Sequence, residues 1–274
     1  MKRQVVIFGA FLLLTFAQRP VFAGTMMYND IPAPLPGNVA GVGYEASATA
    51  EFGELIQFAP GTSRSLSAVT AVMSDWALAS DYSLLGGAGW TYPITLNLYS
   101  VDDSGATPQP GSLFASVTQT FFIPWRPEAG GGCAGTRFRA ADGNCYSGLA
   151  FEVTFNLNNL AVPDQLIYSI AYNTADYGAE PIGSPGPYVS LNFGLNASGP
   201  TVGSNPLPDT AYANTGGNGT FQQYTGWAPY SGAVEFDSVP EPASVPEPGT
   251  VGLMLGGGML ILAGAIRRKK QGKR

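Results

Sequence analysis

The side chains that could do chemistry in this sequence are carboxylates, aromatic rings and two cysteines, because histidine is absent from all 274 residues. Without histidine, neither a Ser-His-Asp triad nor a Cys-His pair can form. Lysine is also absent between residues 24 and 240, so a phosphate-binding loop with its lysine cannot be built there. The sequence therefore predicts no catalytic residues and favours a protein that is not an enzyme.

Glycoside hydrolysis needs only two carboxylates, so it remains the alternative. The spacing of the acidic residues singles out no pair among Glu45, Glu51, Glu54, Asp75, Asp81, Glu128, Glu152, Asp176 and Glu180. Glu152 stands between Phe151 and Val153 in an alternating stretch, which predicts that it faces solvent. A polysaccharide-active glycosidase or lyase is thus the second hypothesis.

Aromatic rings near turns could bind a sugar, because they offer an apolar face while polar neighbours fix its orientation. Trp227 and Tyr230, both flanked by glycine and proline, are the first candidates, and Trp125 is another. Trp76 lies in a longer apolar stretch and is expected in the core. These rings favour a carbohydrate-binding module.

Two acidic turns are candidate calcium sites, because calcium prefers hard oxygen ligands. One contains Asp102 and Asp103, and the other contains Asp142 and Asn144. Neither matches the twelve-residue EF-hand pattern, and an ordinary Asp/Gly turn is the alternative for each. No other cofactor is predicted.

Cys133 and Cys145 are the only cysteines. A close, even pair in an exported chain usually forms a disulfide. Two thiols without histidine cannot complete a tetrahedral metal shell, so a disulfide is the prediction.

Residues 24–240 are strongly acidic, with four arginines against 17 carboxylates and a net charge of −13. Such a surface repels polyphosphate, so nucleic acid is not an expected partner. It also repels acidic polysaccharide unless divalent cations bridge the two.

Short strands separated by turns must position these residues. Strict alternation runs from Leu149 to Leu157 and from Leu166 to Tyr172, with a turn at 162–164. The stretches 94–99 and 113–123 form a predicted hairpin, and 196–219 reads as a long loop. About eight strands predict an all-β, jelly-roll-like sandwich whose first and last strands pair. This order loosely resembles lectin-like and carbohydrate-binding jelly rolls of secreted bacterial proteins.

The N-terminus predicts export. Lys2 and Arg3 precede an apolar stretch from Val5 to Phe16, and small residues stand before a cut at Gly24. This is the pattern of a signal peptide over residues 1–23, which the Sec translocon and signal peptidase would process. An uncleaved anchor is the alternative.

The C-terminus predicts a membrane span. The 18 residues 249–266 carry no charge, and six of the eight residues 267–274 are Lys or Arg. As a helix the apolar run would extend about 27 Å, close to a bilayer core. The cations predict that the tail stays in the cytoplasm, whereas a buried core helix is the alternative.

The tail resembles the PEP-CTERM sorting signal of Gram-negative bacteria. The resemblance is carried by Val245, Pro246, Glu247 and Pro248, by the Gly- and Leu-rich run after them, and by the basic end. It implies recognition and processing by a membrane-embedded exosortase, and an association with exopolysaccharide and biofilm. It covers about a tenth of the chain, so it implies sorting and no activity.

Five segments are therefore expected: a signal peptide (1–23), a β-sandwich ectodomain (24–238), a Pro-rich linker with the sorting motif (239–248), a transmembrane helix (249–266) and a basic cytoplasmic tail (267–274). The expected protein is anchored transiently in the inner membrane and then reaches the cell surface or extracellular matrix. There we expect a non-enzymatic binding or structural module, with extracellular polysaccharide as its expected ligand.

Overall fold

The structure is a computed structural model that describes residues 25–82, 87–172, 190–216 and 219–239. These residues form fifteen strands and a 3-10 helix, Ala79–Tyr82. The strands are β1 (Thr25–Asn29), β2 (Ala40–Val42), β3 (Glu51–Gln57), β4 (Ser65–Asp75), β5 (Gly89–Asp102), β6 (Gln109–Pro124), β7 (Phe138–Arg139), β8 (Cys145–Tyr146), β9 (Leu149–Ala161), β10 (Gln165–Ala171), β11 (Leu191–Asn196), β12 (Thr210–Asn214), β13 (Gln222–Thr225), β14 (Ser231–Gly232) and β15 (Val234–Ser238).

Two antiparallel sheets form a sandwich. The first is organised around β4, which pairs with β9 on one side and with β15 and β11 on the other. β1 pairs with β15, while β2 and β14 pair with β11. The second sheet has the order β13-β12-β3-β10-β5-β6, and β7 and β8 form a separate two-stranded sheet. The prediction of an all-β protein with two sandwiched antiparallel sheets is confirmed.

The core lies between the two large sheets. Phe236 of the first sheet contacts Tyr168 of the second sheet and Phe58, which directly follows β3, with ring centroids 5.6 and 5.5 Å away. All three rings are fully or almost fully buried. Large apolar side chains from alternate strand positions thus join the sheets, as expected when each sheet buries one face.

Several strand predictions are confirmed. In β9, Val153 and Phe155 are buried while Glu152 and Thr154 are exposed, so the period-two pattern did mark two faces. The first and last strands pair, and β5 and β6 form the expected hairpin. The turn at 162–164 connects strands of different sheets.

Two predictions were wrong. The expected loop over 196–219 contains β12, whose alanines carry little strand preference but lie between β3 and β13. Trp76, expected in the core, is 42% exposed and donates its indole N–H to Ser74 Oγ at 3.0 Å. It follows the last residue of β4, where the chain leaves the sheet.

Cys133 and Cys145 lie at disulfide distance, as predicted, with Cα atoms 5.7 Å apart. The predicted signal peptide, sorting motif, transmembrane helix and basic tail lie outside the described residues. Within the ranges that the structure describes, no helix is long and apolar enough to cross a membrane.

Candidate functional site

A cavity of about 390 Å³ opens beside Trp227, where β2 of the first sheet meets β3, β12 and β13 of the second. Its size is in the range of small-ligand pockets, which is about 300–1,000 Å³. It is lined by Val42, Ser47, Thr49, Phe52, Ala213, Thr215, Tyr224, Thr225, Gly226 and Trp227.

Trp227 is held in the loop after β13 by hydrogen bonds to Asp209. The backbone oxygen of Asp209 accepts from Gly226 N at 3.1 Å and from Trp227 N at 3.4 Å. Its carboxylate accepts from Ala228 N at 3.1 Å. Gly226 has a φ of 90°, a conformation that a residue with a Cβ rarely adopts. The loop geometry therefore depends on Asp209 and Gly226.

Phe52 provides the apolar floor of the cavity. It is fully buried on β3 and meets Trp227 edge to face, with centroids 4.7 Å apart and planes at 66°. Trp227 remains partly exposed and packs on the core edge, as does Tyr224. One part of each ring is thus anchored, while the cavity side is accessible to a ligand.

Hydroxyl groups line another part of the cavity. Thr49 Oγ1 lies 2.9 Å from Ser47 Oγ and 2.8 Å from Thr215 Oγ1. Ser47 Oγ donates to the backbone oxygen of Gly43 at 2.6 Å, and Thr215 Oγ1 donates to that of Ser47 at 3.0 Å. With three hydroxyl protons for four contacts, at most three of these bonds form at one time, and the contacts hold the three hydroxyls close together before any ligand arrives.

None of the described residues that line this cavity is charged. The cavity therefore offers no carboxylate for proton transfer and no cation for an anionic group. It offers aromatic faces and oriented hydroxyls, which suit a neutral ligand with both an apolar face and hydroxyl groups.

The predicted aromatic residues have three different environments. Trp227 lines the cavity. Tyr230 is 41% exposed, and its N–H donates to the backbone oxygen of Trp227 at 2.8 Å, but its ring is not part of the lining. Trp125 is buried between Tyr82 and Trp90, with centroids 5.3 and 4.4 Å away. The structure does not bring Trp125 into the same site.

The candidate calcium turns use their carboxylates locally. Asp102 Oδ1 accepts from Ser104 N at 3.0 Å, and Asp142 Oδ1 accepts from Asn144 N at 2.9 Å. Asp142 Oδ2 accepts from the Tyr146 hydroxyl at 2.7 Å, and these bonds lower the pKa of Asp142. Among the described residues, no group of three or more acidic or thiol side chains could hold a metal ion.

A second, smaller groove of about 260 Å³ contains carboxylates. Its lining includes Glu152 of β9, Glu235 of β15 and the segment 31–35, which carries two prolines. Burial, followed by the charges of Asp237 and Glu152, raises the pKa of Glu235 to about 7. This groove has the residue types for acid-base chemistry that the Trp227 cavity lacks.

Other buried carboxylates are occupied by structural hydrogen bonds. Asp30 accepts from Asn196 Nδ2 at 2.7 Å and from the Ser231 hydroxyl. Glu54 accepts from Gly232 N at 3.0 Å and from Asn205 Nδ2 at 3.1 Å. Burial and the charge of Asp30 raise the pKa of Glu54 well above its usual range. Asp30 connects elements of the first sheet, and Glu54 connects β3 of the second sheet with β14 of the first. Both acids line neither the cavity nor the groove.

Sequence reasoning missed most of the Trp227 cavity. Ser47, Thr49 and Phe52 are far from Trp227 in the chain and carry no local signal. No protein-family model, curated protein or solved structure matches this chain. Its function must be inferred from its own residues.

Proposed function

We propose that this chain is an exported envelope or extracellular-matrix protein whose β-sandwich is a non-enzymatic binding module for exopolysaccharide. The observation that carries the proposal is the uncharged cavity in which Trp227 and Tyr224 adjoin fixed hydroxyl groups. A sandwich of the jelly-roll type is part of the proposal, and the pairing of the first and last strands supports it.

The cavity chemistry favours a neutral sugar. Aromatic rings stack on the apolar face of a sugar ring, and hydroxyls exchange hydrogen bonds with its own hydroxyls. An acidic sugar would enter a site without a cation on a domain with a net charge of −13, so it would be repelled. We therefore expect neutral segments of a polysaccharide to bind.

In this proposal, the predicted sorting signals bring the binding module to the outside of the cell. The signal-peptide pattern predicts export through the Sec translocon, and the PEP-CTERM resemblance implies a transient inner-membrane anchor that exosortase removes. The same resemblance associates the protein with exopolysaccharide and biofilm. The sorting signal and the cavity thus support the same role through independent residues.

The alternative is a polysaccharide-active enzyme, and the groove with Glu152 and Glu235 favours it. With a pKa of about 7, Glu235 would carry a proton near neutral pH and serve as a general acid. Glu152 is exposed and would serve as the second carboxylate of a glycosidase.

One experiment separates the two functions. The purified protein is screened on an array of neutral and acidic oligosaccharides, and each bound glycan is then incubated with the protein and assayed for new reducing ends. We expect binding to neutral glycans without product. If reducing ends are released and Glu235→Gln abolishes their release, the protein is an enzyme. If no glycan binds and no product forms, a structural coat protein without a ligand is the remaining interpretation.

A further inference from the structure

Tyr230 is an exposed aromatic residue in the loop that carries Trp227. Its side chain is 41% exposed. Among the described residues, the other large hydrophobic side chains that are exposed follow β4 or belong to β6: Trp76, Leu113, Phe114 and Phe122. A single exposed ring is ordinary on a protein surface, so the role of Tyr230 depends on its position relative to the cavity.

A β-turn joins Tyr230 to Trp227. The backbone oxygen of Trp227 accepts from Tyr230 N at 2.8 Å. A turn of this kind brings the Cα atoms of its first and fourth residues within about 7 Å of each other. Tyr224, three residues before Trp227, also lines the cavity. Three rings thus follow one another at intervals of three residues, two in the cavity and the third directly after it in the chain.

The strand that follows the turn indicates where the Tyr230 side chain points. A Cβ atom on Gly232 would come within 2.8 Å of the Phe193 ring, so this side of β14 faces the core. Residues two apart in extended backbone point the same way, which directs Tyr230 to the side of Phe193. On that side the Phe193 ring lies 6.0 Å from the ring of Phe52, which in turn contacts Trp227. Tyr230 therefore extends the row of rings that leads from the core to the cavity.

The backbone on both sides of Tyr230 is fixed. Its own N–H is bonded within the turn, and the next hydroxyl, Ser231 Oγ, donates to Asp30 Oδ2. Gly232 N then donates to Glu54 Oε1 at 3.0 Å, and both carboxyl groups are buried. A tyrosine on fixed backbone has few side-chain torsions to lose on binding, so a ligand can stack on it at a low cost in conformational entropy.

We propose that Tyr230 forms an outer subsite of the Trp227 cavity and takes the next sugar unit of a neutral polysaccharide chain. This inference rests on the proposed function. One unit lies in the cavity against Trp227, and the chain continues over the turn, where the next unit stacks on Tyr230. No residue from 222 to 232 is charged, so this path suits a neutral chain. The module thereby recognises a polymer in preference to a single sugar.

The test compares a single sugar with a longer piece of the same glycan. The neutral glycan that binds on the array supplies both probes, its monosaccharide and a four-unit fragment, and NMR titration of the protein measures the affinity of each. The wild-type protein should bind the fragment about fivefold more tightly than the monosaccharide, because a second ring adds a stacking contact. Tyr230→Ala should remove most of this difference and leave the affinity for the monosaccharide unchanged. Tyr230→Phe keeps the ring and should bind both probes like wild type.

Phe122→Ala is the matched control, because Phe122 is 55% exposed on β6, at the opposite edge of the second sheet from β13. It should leave both affinities unchanged. If Tyr230→Ala lowers the midpoint of denaturant unfolding, Tyr230→Leu, which keeps apolar bulk without a flat face, replaces it. An unchanged affinity for the fragment, or an equal loss for both probes, would overturn the inference while the proposed function stands. A blank array would overturn the proposed function, and this inference with it.

Discussion

Asp75 shows how a single buried acid couples this fold to pH. Its side chain is fully buried at the end of β4, and Oδ1 accepts from Ala77 N at 3.2 Å. Burial raises the pKa of Asp75 to about 8, although hydrogen bonds to backbone groups and the charge of Arg126 oppose the shift. The folded protein therefore holds a proton that the unfolded chain, with a pKa of about 3.8, releases.

The first prediction concerns the pH dependence of stability. Because the folded pKa of Asp75 is the higher one, the stabilisation is complete below about pH 4 and is lost as the pH rises through about 8. Asp30, whose pKa burial raises to about 6, acts in the same direction over a lower window. Between pH 5 and pH 8 the Asp75 shift alone should lower the free energy of unfolding by on the order of 4 kcal/mol.

Denaturant titration at several pH values measures this effect. Asp75→Asn keeps an oxygen for the Ala77 N–H but cannot ionise, so it should flatten the decline. Asp102→Asn is a suitable control, since Asp102 is fully exposed in a turn and should leave the slope nearly unchanged. Wild-type stability that rises from pH 5 to pH 8 would contradict the sign of the Asp75 shift.

At the scale of single residues, the sequence alone predicts only part of the candidate site. Trp227 could be found because a tryptophan between glycine and proline stands out. Ser47, Thr49 and Thr215 could not, because such residues occur throughout the chain and acquire a role only when β3 and β12 become neighbours. From the sequence, Trp125 was an equally good candidate, but in the structure it is packed in the core between two other rings.

At the scale of elements, the period-two pattern predicted the long strands well. β9 and β10, where the alternation is strict, were expected within a few residues of their observed ends, and 113–123 was expected as a strand within the observed β6. Where pattern and composition were weak, the prediction was wrong, as for β12, which is stabilised by pairing on both sides. Assignment of strands to sheets also depends on long-range pairing, which no local pattern specifies.

The second prediction concerns the disulfide loop. Cys133 and Cys145 are 12 residues apart, and the enclosed segment includes β7 and the buried ring of Phe138. Replacing both cysteines by serine should destabilise the fold by about 3 kcal/mol in the chain-entropy model. Denaturant unfolding measures this loss, and a stability equal to wild type would contradict it. Glycan binding should be unchanged, because no cavity-lining residue lies in the loop.

At the scale of the whole molecule, the two ends of the chain predict where it works, and the sandwich predicts what it does there. The predictions for the two ends rest on sequence alone, since signal peptides and sorting tails act as linear motifs. The cavity could not, since it exists only in the assembled sandwich. The two interpretations share no residues, so each can be tested without the other.

The third prediction concerns sorting. If exosortase processes the tail, the mature protein from an exosortase-positive host should end near Pro248, and mass spectrometry should find no basic tail. Glu247→Ala should leave the precursor in the inner membrane. The sequence Val239-Pro240-Glu241-Pro242 repeats the motif six residues earlier, and Glu241→Ala there should be processed normally. Recovery of intact Arg274 from the envelope of the wild-type host would refute the assignment.

The central claim is that the Trp227 cavity binds neutral polysaccharide, and calorimetric titration with a neutral oligosaccharide from the array tests it most directly. Trp227→Ala should weaken binding at least tenfold, equivalent to about 1.4 kcal/mol, because it removes the stacking face. Trp76→Ala is the control, since Trp76 is an exposed tryptophan outside the cavity lining. Both variants must unfold like the wild-type protein. Affinity lost in Trp227→Ala and kept in Trp76→Ala is the predicted result, and unchanged affinity in Trp227→Ala would contradict the account.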